Sequence, residues 1–332
     1  SDVDEYGFKR GEKFDYKNYG KFMDGYLKTL TRRRIKWETI IRENPDLNLN
    51  SKLKRYIRKG IPGPYRADVW MKITGAEAAK KQNPNLYRSL LSIDHFIKEI
   101  SDSISIDLPR TFPDNIHFDS KKERLFNILC AYAHHNRDVG YCQGLNYIAG
   151  LLLIVTDDEE KSFWLLKHIV ENIVPQYHSH NMANLLRDLA VFRELVIRRV
   201  PAVNRRVEDL GELWNEFIKF KHHLTYFISG LPYAVIASKW FICIFAEVLP
   251  VETVLRIWDC IVFRAALAMF VTHKSAIMEC EDIAALANLF RDTMIQDSIV
   301  TDCHSFIEAM FSIRLKRSEL ESLRKVAVLN EH

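Results

Sequence analysis

Apolar residues recur at helical spacing through nearly the whole chain, and this periodicity limits the possible folds more than any other feature. In YLKTLTRRRIKWETII (26–41), apolar side chains return every three or four residues, which places them on one face of a helix. The same spacing predicts further helices at 67–79, 86–100, 122–135, from 145 onward, 162–174, 182–199, 206–220, 234–248, 251–272, 283–294 and 304–313. No convincing alternating strand pattern is found, so the sequence predicts an all-α fold.

Proline and glycine residues suggest where this helical chain divides. GIPGP at 60–64 breaks the chain sharply after the first helices, and Pro175 ends a later helix. A chain of 332 residues can form one elongated domain or two lobes. We predict an elongated, two-lobed, multi-helix protein with an N-terminal helical extension (1–54), an N-terminal lobe (55–175) and a C-terminal lobe (176–325).

The charge balance argues against a nucleic-acid partner. The chain has 47 Lys and Arg against 43 Asp and Glu, a formal net charge of +4, whereas nucleic-acid binders usually concentrate far more basic charge on one face. Basic clusters at 32–34 and 52–59 favour solvated helix faces. Contact with an anionic membrane surface or an acidic partner is the other interpretation.

Cysteine usage predicts a cytoplasmic location. The six cysteines form no C-x-x-C pair, and most lie among apolar residues, which is typical of reduced core thiols. The longest apolar run, 148–155, is far shorter than the ~20 residues that a membrane-spanning helix needs. The N-terminus shows no secretory leader, so we expect no export.

Several common catalytic and binding motifs are absent from the sequence. It has no G-x-x-x-x-G-K-[ST] loop for a nucleotide phosphate, and the adjacent histidines at 134–135 and 222–223 have no H-E-x-x-H motif. No G-x-S-x-G elbow or Cys/His signature indicates a hydrolase nucleophile. The sequence therefore predicts no cofactor and no metal site of its own.

Three short segments are not explained by packing of a hydrophobic core alone: KGIPGPYRADVWMKITGA, ISIDLPRTFPDN and VGYCQGLNYIAG. In the first, Arg66 and Trp70 share a helix face, and a guanidinium stacked on the indole would be a purely structural use. In the second, Pro109 and Pro113 prevent a regular helix around Arg110. A loop arginine that pairs with Asp107 or Asp114 is the structural alternative there.

The third segment places Tyr141 and Gln143 just before an apolar helix that begins near Leu145. Taken alone, Gln143 is readily explained as a residue that caps a backbone group at the start of that helix. A functional interpretation needs the second and third segments together.

Together these segments resemble a known family. The I-x-x-D-x-x-R block at 104–110 with the Y-x-Q block at 141–143 resembles the paired signature of TBC-domain GTPase-activating proteins for Rab GTPases. The GIP opening at 60–62, the R-x-x-x-W block at 66–70, SKWFICIF and LPVETVLRIWDC are similar to other blocks of that domain. The resemblance covers about residues 55 to 320.

The resemblance implies that Arg110 is an arginine finger and Gln143 a glutamine finger, both supplied in trans. Hydrolysis on a small GTPase is slow because the transition-state charge is poorly stabilised and the attacking water poorly oriented. An arginine from a partner is worth roughly 10³ to 10⁵ in rate, and an amide can orient the water. The chain would thus be a GTPase activator and not an enzyme with its own substrate site.

Other motif residues receive supporting roles from the same resemblance. Asp107 would orient Arg110, Tyr141 would hold the loop that presents Gln143, and Arg66 and Ile104 would support the site. For Trp70, Trp240 and Trp258 the core interpretation comes first. Arg256 and Asp259 are three residues apart on a predicted helix and are expected to form a buried or half-buried structural pair.

The implied partner is a GTP-loaded Rab, which brings GTP and Mg²⁺, so the chain would act peripherally at Rab-bearing membranes in vesicle traffic. The alternative is a catalytically silent Rab-binding or scaffolding module. Three stretches depart from the family pattern: 118–124 and 260–263 are shorter than expected, and 212–230 reads as an insertion. Both finger motifs are unaffected by these departures.

Overall fold

A computed structural model describes residues 2–11, 14–93, 98–219, 231–259, 262–293 and 303–329. Within these ranges the chain is helical, with only two isolated β-bridges, Val3 with Lys9 and Phe8 with Asn115. The all-α prediction is therefore confirmed. The chain divides into two compact units, Ser1–Met182 and Ala183–His332. The lobe limits drawn from the sequence remain predictions.

Unit 1 contains nine α-helices and three shorter turns within its described residues. The helices are α1 (Tyr16–Glu43), α2 (Ser51–Lys59), α3 (Gly63–Ile73), α4 (Ala76–Gln82), α5 (Leu86–Leu91), α6 (Lys98–Asp107), α7 (Lys122–His135), α8 (Leu145–Thr156) and α9 (Glu159–His168). Two 3₁₀ turns, Leu108–Arg110 and Asp119–Lys121, connect α6 to α7, and a π-helical turn, Ile169–Ile173, follows α9.

The core of unit 1 is built around α8, which packs on α7 and α9. Its sequence, LNYIAGLLLIVT, is apolar nearly all round, and such a helix is stable only when it is surrounded by protein. Three acidic residues, 158–160, lie at the start of α9: the Asp158 carboxylate accepts the backbone N–H of Lys161 at 2.8 Å. This side chain caps the helix and its charge suits the N-terminal dipole.

Unit 2 contains α10 (Ala183–Arg199), α11 (Pro201–Lys219), α12 (Leu231–Ile242), α13 (Val251–Trp258), α14 (Val262–Thr272), α15 (Lys274–Glu279), α16 (Ile283–Asn288), α17 (Cys303–Ser312) and α18 (Arg317–Leu329). Its core includes a cluster of buried rings, Phe192, Tyr233, Trp240, Phe270 and Phe290, which meet mostly edge to face. No helix among the described residues of either unit is long and apolar enough to cross a membrane.

Several predicted helices are wrong in extent. The helix predicted over 67–79 is two helices, because Gly75 between them has a φ of +80°. The helix predicted over 234–248 ends at Ile242, after which Ile244 and Phe245 also have positive φ. The helices predicted over 86–100 and 251–272 are likewise interrupted, after Leu91 and after Trp258.

The helix predicted over 206–220 begins earlier, at Pro201, a residue type that suits the first turn of a helix. The suggested insertion at 212–230 lies only partly in the structure: α11 continues to Lys219, and 220–230 lie outside the described residues. In the short stretch 118–124, the 3₁₀ turn Asp119–Lys121 leads directly into α7. Residues 260 and 261 of the other short stretch lie outside the described residues.

Candidate functional site

Arg110 lies in the arginine loop, the name used here for residues 108–118 between α6 and the second 3₁₀ turn. Helix α6 ends at Asp107, and Pro109 follows in a single 3₁₀ turn that Arg110 completes. The hydroxyl of Thr111 donates to the carbonyl of Asp107 at 2.8 Å, which closes the turn. The Arg110 side chain is 67% exposed, so this short segment presents the guanidinium to solvent.

Asp107 lies beneath the exposed arginine and is itself buried. The Tyr141 hydroxyl donates to its Oδ2 at 2.7 Å, while Nη1 of Arg110 is 3.9 Å from its Oδ1. Burial and the Asp107 carboxylate raise the pKa of the Tyr141 hydroxyl, so this group remains a proton donor. One carboxylate therefore contacts both the arginine and the first residue of the Y-x-Q block.

Gln143 lies in the glutamine loop, the name used here for residues 136–144 between α7 and α8. The side chain is exposed at the turn that leads into α8. Gly144 follows with a φ of +111°, a conformation that residues with a side chain rarely adopt. The Gly144 N–H donates to Oδ1 of Asn146 at 3.0 Å, which fixes the backbone directly after Gln143.

Asn146 joins the two loops. Its side chain is 1% exposed; Nδ2 donates to the Thr111 hydroxyl at 2.8 Å while Oδ1 accepts from Gly144. A single buried amide thus connects the residue after Arg110 to the residue after Gln143. Asn146 was not among the residues predicted from the sequence, although a polar residue within the apolar run of α8 is a usable signal, because buried amides need partners.

Helix α8 also contacts the arginine loop directly. The Tyr147 hydroxyl donates to the Arg110 carbonyl at 3.3 Å, and its ring meets Phe112 edge to face with 5.6 Å between centroids. At Gly150 a Cβ atom would lie 3.0 Å from the Phe112 ring and 3.2 Å from the Thr111 methyl group. The absence of a side chain at Gly150 therefore lets the arginine loop lie against α8.

Three other predicted site residues lie in unit 1. Arg66 and Trp70 are both buried on α3, and Nη1 of Arg66 donates to the Tyr6 hydroxyl at 2.8 Å. Ile104 is fully buried in α6, one turn before Asp107. The supporting roles of Arg66 and Ile104 remain predictions.

The remaining motif residues, Arg256, Trp258 and Asp259, lie in unit 2. The Trp258 indole N–H donates to the carbonyl of Ile244 at 2.8 Å. Nη1 of Arg256 is 3.6 Å from Oδ2 of Asp259, and both side chains are buried. Their side chains thus make contacts within unit 2, whereas Arg110 and Gln143 lie in unit 1 with exposed side chains.

Comparison with known proteins identifies the relatives of this chain. The Rab-GTPase-TBC domain family model matches residues 64–279. Growth hormone-regulated TBC protein 1 of Homo sapiens is 42% identical over 322 residues, which cover 93% of this chain and 89% of that protein. Growth hormone-regulated TBC protein 1-A of Danio rerio is 41% identical over 321 residues and covers 93% and 84%.

Within the family, the sequence predicts similarity to the growth hormone-regulated TBC protein from three segments, YGFKR, RTFPDN and FICIFAEVLPVETVLRIWDC. That prediction is confirmed. The crystal structure of the Chlamydomonas flagellar RabGAP TBC domain superposes with a TM-score of 0.73 at 26% identity, covering 93% of this chain and 98% of that one. With 216 consecutive residues, 64 to 279, matched by the family model, the chain belongs to the Rab-GTPase-TBC domain family.

Proposed function

We propose that this chain accelerates GTP hydrolysis on a Rab GTPase, with Arg110 as an arginine finger and Gln143 as a glutamine finger. The guanidinium would stabilise the charge that develops on the transferred phosphoryl group. The amide of Gln143 would orient the attacking water, since it can both donate and accept a hydrogen bond. The Rab partner binds GTP and Mg²⁺, so the chain needs no cofactor of its own.

The observation that carries the proposal is the contrast between exposed side chains and tethered backbones. Arg110 and Gln143 are exposed, whereas the segments that bear them are joined through buried Asn146 and through the hydrogen bond from Tyr141 to Asp107. Two catalytic groups act together only when their separation is fixed before the partner arrives. These hydrogen bonds supply that preorganisation without using either side chain.

The weak ion pair of Arg110 also supports a role in trans. Its distance of 3.9 Å to Asp107 is longer than a hydrogen bond, and more than half of the guanidinium side chain faces water. Exposed ion pairs are worth at most about 1 kcal/mol. Transfer of the guanidinium to a Rab-bound phosphate would therefore cost little, while Asp107 keeps it oriented until the Rab binds.

The test is single-turnover GTP hydrolysis on a panel of purified GTP-loaded Rabs, with wild type beside Arg110→Ala and Gln143→Ala. Arg88→Ala and Gln82→Ala, at exposed positions on α5 and α4, are the matched controls. We expect at least one Rab to be accelerated by wild type and by both controls. Each finger variant should lose most of that acceleration while it still binds the GTP-loaded Rab.

A different result would favour the second function. If a Rab binds in its GTP-loaded state but no Rab in a broad panel is accelerated, the chain is a silent Rab-binding or scaffolding module. If acceleration survives in Arg110→Ala, the assignment of the arginine finger is wrong.

A further inference from the structure

The N-terminal strap, the name used here for residues 2–10, lies against the arginine loop. The N–H of Lys9 donates to the Asp114 carbonyl at 3.0 Å, and the N–H of Ile116 donates to the Gly7 carbonyl at 2.9 Å. Phe8 and Asn115 form an isolated antiparallel bridge between the same segments. The strap precedes residues 64–279, which the family model matches, yet it pairs with the loop that carries Arg110.

The strap has a defined shape of its own. The Asp4 carboxylate accepts the backbone N–H groups of Tyr6 and Phe8, each at 2.9 Å, and the Arg10 N–H donates to the Asp2 carbonyl at 2.8 Å. Gly7, at the centre of this turn, has a φ of +93°. Because the turn is held by these internal bonds, the strap meets the arginine loop as an ordered segment.

Side chains add a second set of contacts. Nδ2 of Asn115 donates to the Tyr6 carbonyl at 2.9 Å, and Arg66 donates to the Tyr6 hydroxyl at 2.8 Å. Arg66 is buried on α3, so Tyr6 links a helix of the core to the arginine loop. The supporting role that the resemblance implies for Arg66 would thus reach the arginine loop through Tyr6, a residue outside the motif.

Phe112 connects the strap to Arg110, two residues earlier. Its φ of +49° is unusual for a residue with a side chain, because the Cβ atom then lies too close to the following carbonyl oxygen. Edge-to-face contacts hold the ring in place, with centroid distances of 5.2 Å to Phe8 and 5.4 Å to Phe118. Edge-to-face ring contacts stabilise beyond the burial of area alone, so loss of Phe8 removes a contact that helps to offset this strain.

We propose that the N-terminal strap is a positioning element for Arg110, which holds the arginine loop together with α8 so that the guanidinium is ready for the Rab-bound phosphate. This proposal rests on the proposed function above. Helix α8 contacts the loop at residues 110–112, whereas the strap pairs with it at 114–116. The loop is thereby fixed on both sides of Phe112 along the chain.

Gly7→Ala is the variant that separates the strap from the loop. At Gly7 a Cβ atom would lie 2.8 Å from Cδ2 of His117 and 3.0 Å from Oδ1 of Asn115, and the positive φ would be strained as well. Gly11→Ala is the matched control, because a Cβ atom there has no heavy atom within 4 Å. Both variants change one glycine near the same end of the chain.

Two readouts are needed. The first is hydrogen exchange at the Ile116 and Lys9 amides, which should become faster in Gly7→Ala and stay unchanged in Gly11→Ala. The second is single-turnover hydrolysis on a Rab that wild type accelerates, at saturating and subsaturating amounts of the chain. We expect the maximal rate to fall about tenfold in Gly7→Ala with unchanged half-saturation, since small misplacements of a catalytic group have large effects on rate.

The same substitution in an Arg110→Ala background separates positioning from a general structural role. If the strap acts through Arg110, Gly7→Ala causes no further loss of rate when Arg110 is absent. A further tenfold loss there, full activity despite faster exchange, or no change in exchange would each overturn the proposal. If wild type accelerates no Rab, the proposed function fails and this proposal with it, a result that does not depend on Gly7.

Discussion

Two arginine–aspartate pairs in this chain share a three-residue spacing but have opposite environments. Arg110 is 67% exposed and lies 3.9 Å from Asp107, whereas Arg256 is 2% exposed and lies 3.6 Å from a wholly buried Asp259 carboxylate. A pair whose arginine faces water contributes little, but when both partners are buried the loss of either leaves a charge without compensation. Spacing brings the groups together, and burial decides whether the arginine can serve another molecule.

The flanking sequence explains this difference. Arg110 follows Pro109 at the end of a helix, so the chain leaves the core directly after Asp107. Arg256 lies inside α13, VETVLRIW, where Val254, Leu255 and Ile257 are buried around it. Arg256 is therefore buried together with its apolar neighbours in α13, whereas Arg110, which follows Pro109, remains exposed.

The largest expected effect is on catalysis, in Arg110→Ala. We expect it to reduce the acceleration of GTP hydrolysis by about 10³-fold or more, because the transition-state charge loses its partner. Stability to urea should change by no more than about 0.5 kcal/mol, since the side chain is exposed. Single-turnover hydrolysis measures the loss of acceleration, and urea unfolding measures the change in stability. A large loss of stability would show that Arg110 is structural, as Arg256 is.

The second effect is on stability, in Arg256→Ala. Removal of one partner from a buried pair costs about 3–5 kcal/mol, so urea unfolding should shift strongly and expression should fall. Arg110→Ala is the control, because it breaks a pair of the same spacing by removing an arginine that is exposed. A cost below about 1 kcal/mol would contradict the contrast between the two pairs.

The sequence predicted most of the helices, but it did not predict where several of them are interrupted. Apolar periodicity indicated most helices, because burial of one face repeats every three or four residues. It did not indicate the end of α12, where Ile244 and Phe245 have positive φ, since neither residue type favours that conformation. Tertiary packing around the unusual backbone, which includes the hydrogen bond from Trp258 to Ile244, has no local sequence signal.

The candidate site shows the same limit. The resemblance to the family implied roles for Arg110, Gln143, Asp107 and Tyr141, because the motifs that contain them are complete in this sequence. It missed the link through Asn146 and the pairing of the strap with the arginine loop. Phe8 and Asn115 are 107 positions apart, and contacts at that separation cannot be inferred from the periodicity of either segment.

The third prediction concerns the carboxylate beneath Arg110. Tyr141→Phe keeps the ring but removes the 2.7 Å hydrogen bond to buried Asp107, which should cost about 1–3 kcal/mol. We also expect about a tenfold lower rate of hydrolysis, because Asp107 then orients Arg110 less well. The raised pKa of Tyr141 keeps its hydroxyl protonated, so the difference from wild type should not depend on pH across the neutral range. Urea unfolding and pH–rate profiles measure both effects.

The smallest expected effect is in Tyr147→Phe, which removes the hydroxyl that donates to the Arg110 carbonyl. This bond is longer, 3.3 Å, and exposed, so water can replace the hydroxyl at the Arg110 carbonyl. We expect at most about a twofold loss of rate, and a greater loss in Tyr147→Ala, which also removes the ring that packs on Phe112. Single-turnover hydrolysis with Tyr141→Phe alongside provides the comparison. If Tyr147→Phe loses as much as Tyr141→Phe, the position of the guanidinium depends on the Arg110 backbone carbonyl as much as on the buried carboxylate, and the ranking of these two contacts is wrong.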